Sequence, residues 1–105
     1  MTFAVVFAPQ ARAYLLRLFE YLIDRAETAA DLDLAERAIA AVESAAQLHL
    51  SRTPFIYRKA AQGGGLRREL IVPFGASGYV LLCEIADATT VVILAVRHQL
   101  EQDYH

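Results

Sequence analysis

Apolar and polar positions along the chain divide it into six periodic segments separated by clear stops. Phe3 to Phe7 is a short run rich in β-formers that alternates poorly, as a strand covered on both faces would. Pro9 suits the first turn of a helix, where its missing N–H costs nothing, and the pattern then predicts a helix to about Ala26. Leu15, Leu18, Phe19, Leu22 and Ile23 fall at i, i+3, i+4, i+7 and i+8, one apolar stripe, with Tyr14 and Tyr21 at its edge. Thr28 and Asp31 have the spacing of a capping box, and an Ala-rich helix follows from about Ala29 to Leu50, with Leu32, Ala35, Ile39, Val42 and Ala46 inward. Pro54 disfavours helix at the residue before it and ends this hairpin of helices.

Residues 52–65 read as a loop ending in three glycines. They lack the spacing of a phosphate-binding loop, and a strand follows them rather than a helix, so they read as a flexible link. Three strands complete the chain: Leu66–Phe74, Tyr79–Ala86 and Thr90–Val96, joined by turn clusters at Gly75–Gly78 and Asp87–Thr89. Short connections imply an antiparallel meander. The order β-α-α-β-β-β predicts one α+β domain over residues 1–105, with an antiparallel helical hairpin packed on an antiparallel sheet formed largely by the three C-terminal strands.

With 56% hydrophobic and 21% charged residues the chain can bury a core. No apolar run is long enough for a membrane span, and the N-terminal segment lacks a basic leader, so a cytoplasmic protein is expected. The single cysteine, Cys83, lies in an apolar run and reads as a packed thiol. A net charge of −2 argues against a general nucleic-acid binder. That average conceals a local patch: Arg52, Arg58, Lys59, Arg67 and Arg68 occur with no acid among them, interleaved with Phe55 and Tyr57.

Candidate chemistry concentrates at the carboxy terminus, where an apolar strand runs into Arg97 and His98 and a polar tail carries Tyr104 and His105. His49, His98 and His105 have no metal-site spacing, and no metal or cofactor is expected. Ser77, His98 and Asp103 could be combined into a triad only arbitrarily, and Glu101 and Asp103 read as solvated. Arg97, His98 and Tyr104 are the residue types that cleavage of RNA needs, namely a base, a cation for the phosphorane and a donor to the leaving oxygen. An ion-paired Arg97 and a frayed Tyr104 are the plainer alternatives. Arg67 and Arg68 must point to opposite faces of their strand, so only one can serve a given surface, the other pairing with Glu69 or Glu84 or facing solvent.

The segment Leu66-Arg-Arg-Glu-Leu-Ile-Val-Pro-Phe-Gly-Ala-Ser-Gly-Tyr79, continued to Ile85, and the ending Val91-Val-Ile-Leu-Ala-Val-Arg-His98 resemble the RelE/ParE toxin superfamily, on its ParE side. The β-α-α start fits as well, so the resemblance covers essentially the whole chain. It implies a toxin from a bacterial type II toxin–antitoxin system, neutralised in a hetero-oligomer by a ParD-like, ribbon-helix-helix antitoxin. RelE-like members cleave mRNA on the ribosome, whereas ParE-like members poison DNA gyrase. Cleaving relatives carry an arginine after the Gly-Tyr pair and lysines before that turn, where this chain has Val80 and the apolar Ile71–Phe74 segment. Each lost charge-stabilising group costs roughly 3–4 kcal/mol of barrier. A gyrase-inhibiting binder is therefore expected rather than an enzyme, with mRNA cleavage or an inactive, antitoxin-binding regulator as alternatives. Arg68, Arg97, His98 and Tyr104 are the candidate target-binding or residual catalytic residues. Arg52, Arg58, Lys59 and Arg67 form the basic patch, and Tyr14 and Tyr21 are candidate antitoxin contacts beside grooves of the helical hairpin.

Overall fold

The computed structural model describes residues 2–101, 103 and 104. Strand β1 (Ala4–Phe7) leads through Pro9 into helix α1 (Pro9–Asp24), and helix α2 (Ala29–Ala45) returns antiparallel to it. Thr28 and Asp31 form the expected capping box: the Asp31 N–H donates to Thr28 Oγ1 and the Thr28 N–H to the Asp31 carboxylate, each at 3.2 Å. The Glu27 backbone N–H, donating to the Asp31 carboxylate at 3.0 Å, and then the Thr28 groups hold that carboxyl below its ordinary pKa. The predicted end at Leu50 is reached by a π-helical turn, Ala46–Leu50, and both Ala46 and Leu50 are fully buried.

The remaining strands are β2 (Arg58–Lys59), β3 (Arg67–Phe74), β4 (Ser77–Asp87) and β5 (Thr90–His98). They form one five-stranded sheet in the order β1-β5-β4-β3-β2. The α+β layout and the antiparallel meander of the last three strands are as expected, and β1 joins that sheet parallel to β5, a pairing that the helical crossover permits and sequence order conceals. The supposed loop 52–65 contains an edge strand, Arg58 and Lys59 pairing with Glu69 and Arg68. β1 is also not covered on both faces: as an edge strand with helices on one side only, it leaves Val6 49% exposed and Val5 half-buried.

The helices cover one face of the sheet. Ala11 and Leu15 from α1, Val42 from α2, and Ala46 and Leu50 from the π-helical turn pack against Leu70, Val72, Tyr79, Leu81, Cys83, Ile85, Val91, Ile93 and Val96. Ala35, Ala38, Val42 and Ala46 make the buried stripe of the second helix and its continuation, and small side chains there let the helix lie close. Leu32 faces outward instead of inward, at 45% exposed, because it sits in the first turn, beyond that stripe.

β3 and β4 are joined by a two-residue turn. Gly75 takes φ +61 and Ala76 keeps a negative φ, the pattern of a type II′ hairpin turn. Gly78, expected in that turn, is instead a buried residue of β4 opposite Pro73. A Cβ there would lie 2.2 Å from the Val72 carbonyl oxygen and 3.0 Å from Pro73 Cα, both backbone atoms that cannot swing away. Gly78→Ala should therefore destabilise the fold by about 1–3 kcal/mol, measured by urea denaturation, through overpacking. Cys83 is fully buried, and burial pushes its thiol up to about 11, which lowers the thiolate fraction at pH 8 by roughly 100-fold. Ellman's reagent at pH 8 should leave the native protein unlabelled over an hour and titrate one thiol in guanidinium. Rapid native labelling would show the thiol to be accessible.

Candidate functional site

A bulge in β5 decides where the carboxy-terminal candidates point. Leu82 pairs with Ala95 but Cys83 with Ile93, so Leu94 is an extra residue and the alternation of faces shifts by one. Val91 and Ile93 face the helices before the bulge, and Val96 and His98 do so after it, opposite Leu81 and Tyr79. Arg97, opposite Val80, is thereby turned to the outer face, away from the helices. One strand end thus delivers its cation and its imidazole to opposite sides of the sheet.

On the helix side, His98 packs edge-on to Tyr79 with ring centroids 5.8 Å apart, and its Nε2 lies 2.9 Å from Ser77 Oγ. The Leu100 backbone N–H donates to His98 Nδ1 at 3.1 Å. Nδ1 must therefore offer a lone pair, the neutral ring carries its proton on Nε2, and Nε2 donates to Ser77. That is the wrong tautomer for activating a serine. Asp103, the third member of the arbitrary triad, lines a different cleft with Arg67, Glu69 and Tyr104. His98 also borders a cleft with Tyr14, Arg17, Leu18, Tyr21 and Glu101, so the structure brings Tyr14, Tyr21 and His98 together. Burial, followed by the negative charge of Glu101, pushes the Tyr14 phenol up to about 12. Glu101 is not a free tail carboxylate as expected. It is half-buried, and its Oε1 accepts the His98 N–H at 3.0 Å, closing the turn that leads into the tail.

On the outer face, Arg58, Arg67, Glu69, Ile71, Val80, Leu82, Glu84 and Arg97 share one surface by register. Arg58 Nε donates to Glu69 Oε1 at 2.9 Å, and Arg67 Nε to Glu84 Oε1 at 3.1 Å. The tail folds back across this face, and the Tyr104 hydroxyl donates to the other Glu69 oxygen, Oε2. Arg97 lies over the Tyr104 ring, 5.3 Å from its centroid, and its Nη1 donates to the Glu101 carbonyl and, at 3.4 Å each, to those of His98 and Gln99. Its Nε is buried with no partner among the described residues. Arg97 is therefore a clamp on the tail and not a strand-end ion pair, and Tyr104 is held rather than frayed. His105 lies outside the described residues. Burial, then the bond to Glu69 and its charge, raise the Tyr104 phenol, against the opposing pull of Arg97. A phenol held protonated in this way donates and does not act as a base.

The basic patch does not stay together. Arg58 and Arg67 lie on the outer face in ion pairs, whereas Arg68 and Lys59 occupy the opposite register positions. Arg52 is exposed in the segment after α2. No group of three His, Cys, Asp or Glu residues that could hold a metal ion occurs among the described residues. Sequence reasoning missed the convergence of Arg58 and Tyr104 on Glu69, since only the β2–β3 register and the returning tail bring them within reach. The Glu69 position itself, one residue beyond two arginines on a strand, was the available signal.

Between the helices, on the side away from the sheet, runs an apolar groove of about 390 Å³ lined by Leu15, Leu16, Phe19, Ile39 and Ala40, with Arg12, Glu36 and Glu43 at its margins. No helix among the described residues is long and apolar enough to cross a membrane. Residues 5–103 match the family model of the ParE toxin of type II toxin–antitoxin systems, parDE. The chain is also 40% identical over 100 residues to Toxin RelE3 of Caulobacter vibrioides, covering 94% of this chain and 97% of that protein. The helical hairpin on its sheet, the outer face crossed by the tail and these two likenesses, each nearly full length, lead to one conclusion: the chain belongs to the ParE toxin family of type II toxin–antitoxin systems.

Proposed function

We propose that this toxin acts in the cytoplasm by binding and inhibiting DNA gyrase, without a catalytic centre of its own. The observation that carries this reading is the charge balance of the outer face. Three arginines there, Arg58, Arg67 and Arg97, face two carboxylates, Glu69 and Glu84, and each is already engaged by a carboxylate or by tail carbonyls. Exposed ion pairs of this kind contribute about 1 kcal/mol or less to stability. Their larger consequence is local. At about 6 Å and an effective dielectric of about 20, the Glu69 charge repels a phosphate by roughly 3 kcal/mol, which offsets most of the attraction of Arg58 beside it. Val80 and Ile71 occupy the middle of the same surface and supply no compensating charge. Phosphoryl transfer needs the opposite arrangement, cations free to follow the developing charge.

A type II toxin has an antitoxin partner. In our reading it is ParD-like, with a ribbon-helix-helix start and a tail whose apolar helical face lies in the groove between α1 and α2. Leu16, 59% exposed at the groove, gives such a helix an anchor, and Tyr14 and Tyr21 in the neighbouring cleft extend the contact. The second reading, ribosome-dependent mRNA cleavage, is favoured by one feature, the stacked Arg97 and Tyr104, the residue types that cleaving relatives place at the carboxy terminus.

One assay separates these readings. Purified toxin should abolish gyrase supercoiling at concentrations comparable with the enzyme and accumulate cleaved, gyrase-bound DNA, while reporter mRNA in a translating extract stays intact. Unaffected gyrase together with fragmented mRNA would establish the second reading instead.

A further inference from the structure

Arg68 uses its charge in an unusual way. Its position opposite Cys83 turns it from the outer face, and its guanidinium is engaged by three main-chain carbonyls. Nε donates to the Gly65 oxygen at 2.8 Å, and Nη1 donates to those of Phe55 at 2.6 Å and Tyr57 at 2.9 Å. It also lies over the Phe55 ring, 5.7 Å from the centroid. Charge-assisted bonds are the strong ones, and here they join two stretches of backbone on either side of β2. The Phe3 ring, edge-on at 6.5 Å, supports Phe55 from β1's approach. The segment so braced holds Ile56 at 73% exposed and Phe55 and Leu66 at 52% each. Arg52 and Lys59 are exposed in the same stretch of chain and form no salt bridge among the described residues, and no acidic residue occurs from Arg52 to Arg68.

Large apolar side chains in solvent on a fixed backbone are costly to a free protein and useful to a bound one. Pre-organised side chains lose little freedom on association, and a fixed apolar centre with a polar rim is the usual anatomy of an interface. We propose that this arginine-braced segment docks the toxin onto its target protein, through a target segment in which apolar side chains sit among carboxylates. The inference rests on the gyrase reading above and deepens it by naming the contact surface. Charge complementarity selects the occupant. The cations of the rim ask for an anionic partner, while Ile56 and Leu66 ask for an apolar one, which a phosphate backbone does not provide. The groove assigned to the antitoxin shares no residue with this segment.

The test compares wild-type toxin with the Ile56→Glu and Arg52→Glu variants for binding to purified gyrase and to the antitoxin. Both side chains are exposed, so both variants should keep the wild-type melting temperature within about 2 °C. Affinity for gyrase should fall by about tenfold or more in Ile56→Glu, and more modestly in Arg52→Glu, where the salt dependence also weakens. Antitoxin affinity should stay within about threefold. Unchanged gyrase affinity in both variants overturns the docking surface alone. A loss of antitoxin affinity in place of gyrase affinity assigns the surface to the antitoxin and overturns it too. A wild-type toxin that fails to bind gyrase overturns the underlying reading, and this inference with it.

Discussion

Glu69 lies on β3, one strand in from the β2 edge of the outer face, and its two carboxylate oxygens have separate partners: Arg58 on the edge strand and the Tyr104 hydroxyl on the returning tail. The edge strand is two residues long and weakly paired on its own, and the described residues of the tail carry no helix or strand to hold it. Each is tied to the sheet through the same acid. Held between them, with its side chain 15% exposed, Glu69 also sets the local potential, since it offsets the nearest cation and so removes that cation's pull on an incoming phosphate. The outer face thereby becomes a packed, nearly neutral surface beneath the tail.

This arrangement depends on a change of parity further along the sheet. The extra residue at Leu94 sends Arg97 outward to clamp the tail and His98 inward to meet Ser77, Tyr79 and the Leu100 amide. Without the bulge, Arg97 would point into the helix-covered core, where an unpaired guanidinium is costly. Both strand-end residues hold the turn from β5 into the tail, one through its guanidinium and one through a ring nitrogen. Groups that looked reactive in isolation are in this way occupied with positioning the chain. The exposed apolar surfaces lie elsewhere: an inter-helix groove and the segment that Arg68 braces.

The helices were legible because their signals are local. Pro9 at the start of α1, the Thr28–Asp31 box and the apolar stripe of α1 each act within a few residues. The three C-terminal strands were legible for the same reason, in alternation and in turn residues. The β1–β5 pairing, the two-residue β2 and the Leu94 bulge were not, since each is fixed by residues far apart in sequence or by an offset of one position. Gly78 was read as a turn glycine because a turn lies beside it. Its actual constraint is steric, the Val72 carbonyl 2.2 Å from where a Cβ would be. At the candidate site the residue types were visible and their partners were not. Val80 in place of a cation could be read directly, whereas the capture of Arg58 and Tyr104 by Glu69 needed the folded register.

On this reading Glu69 and the tail hold the outer face closed to phosphates. The most direct test is fluorescence anisotropy of a labelled single-stranded RNA at low salt, with wild-type toxin and the Glu69→Gln variant. The wild type should show no saturable binding and Glu69→Gln clear, salt-sensitive binding, because removing one charge frees Arg58 and loosens Tyr104. Tight binding by the wild type, unaltered in Glu69→Gln, would contradict it.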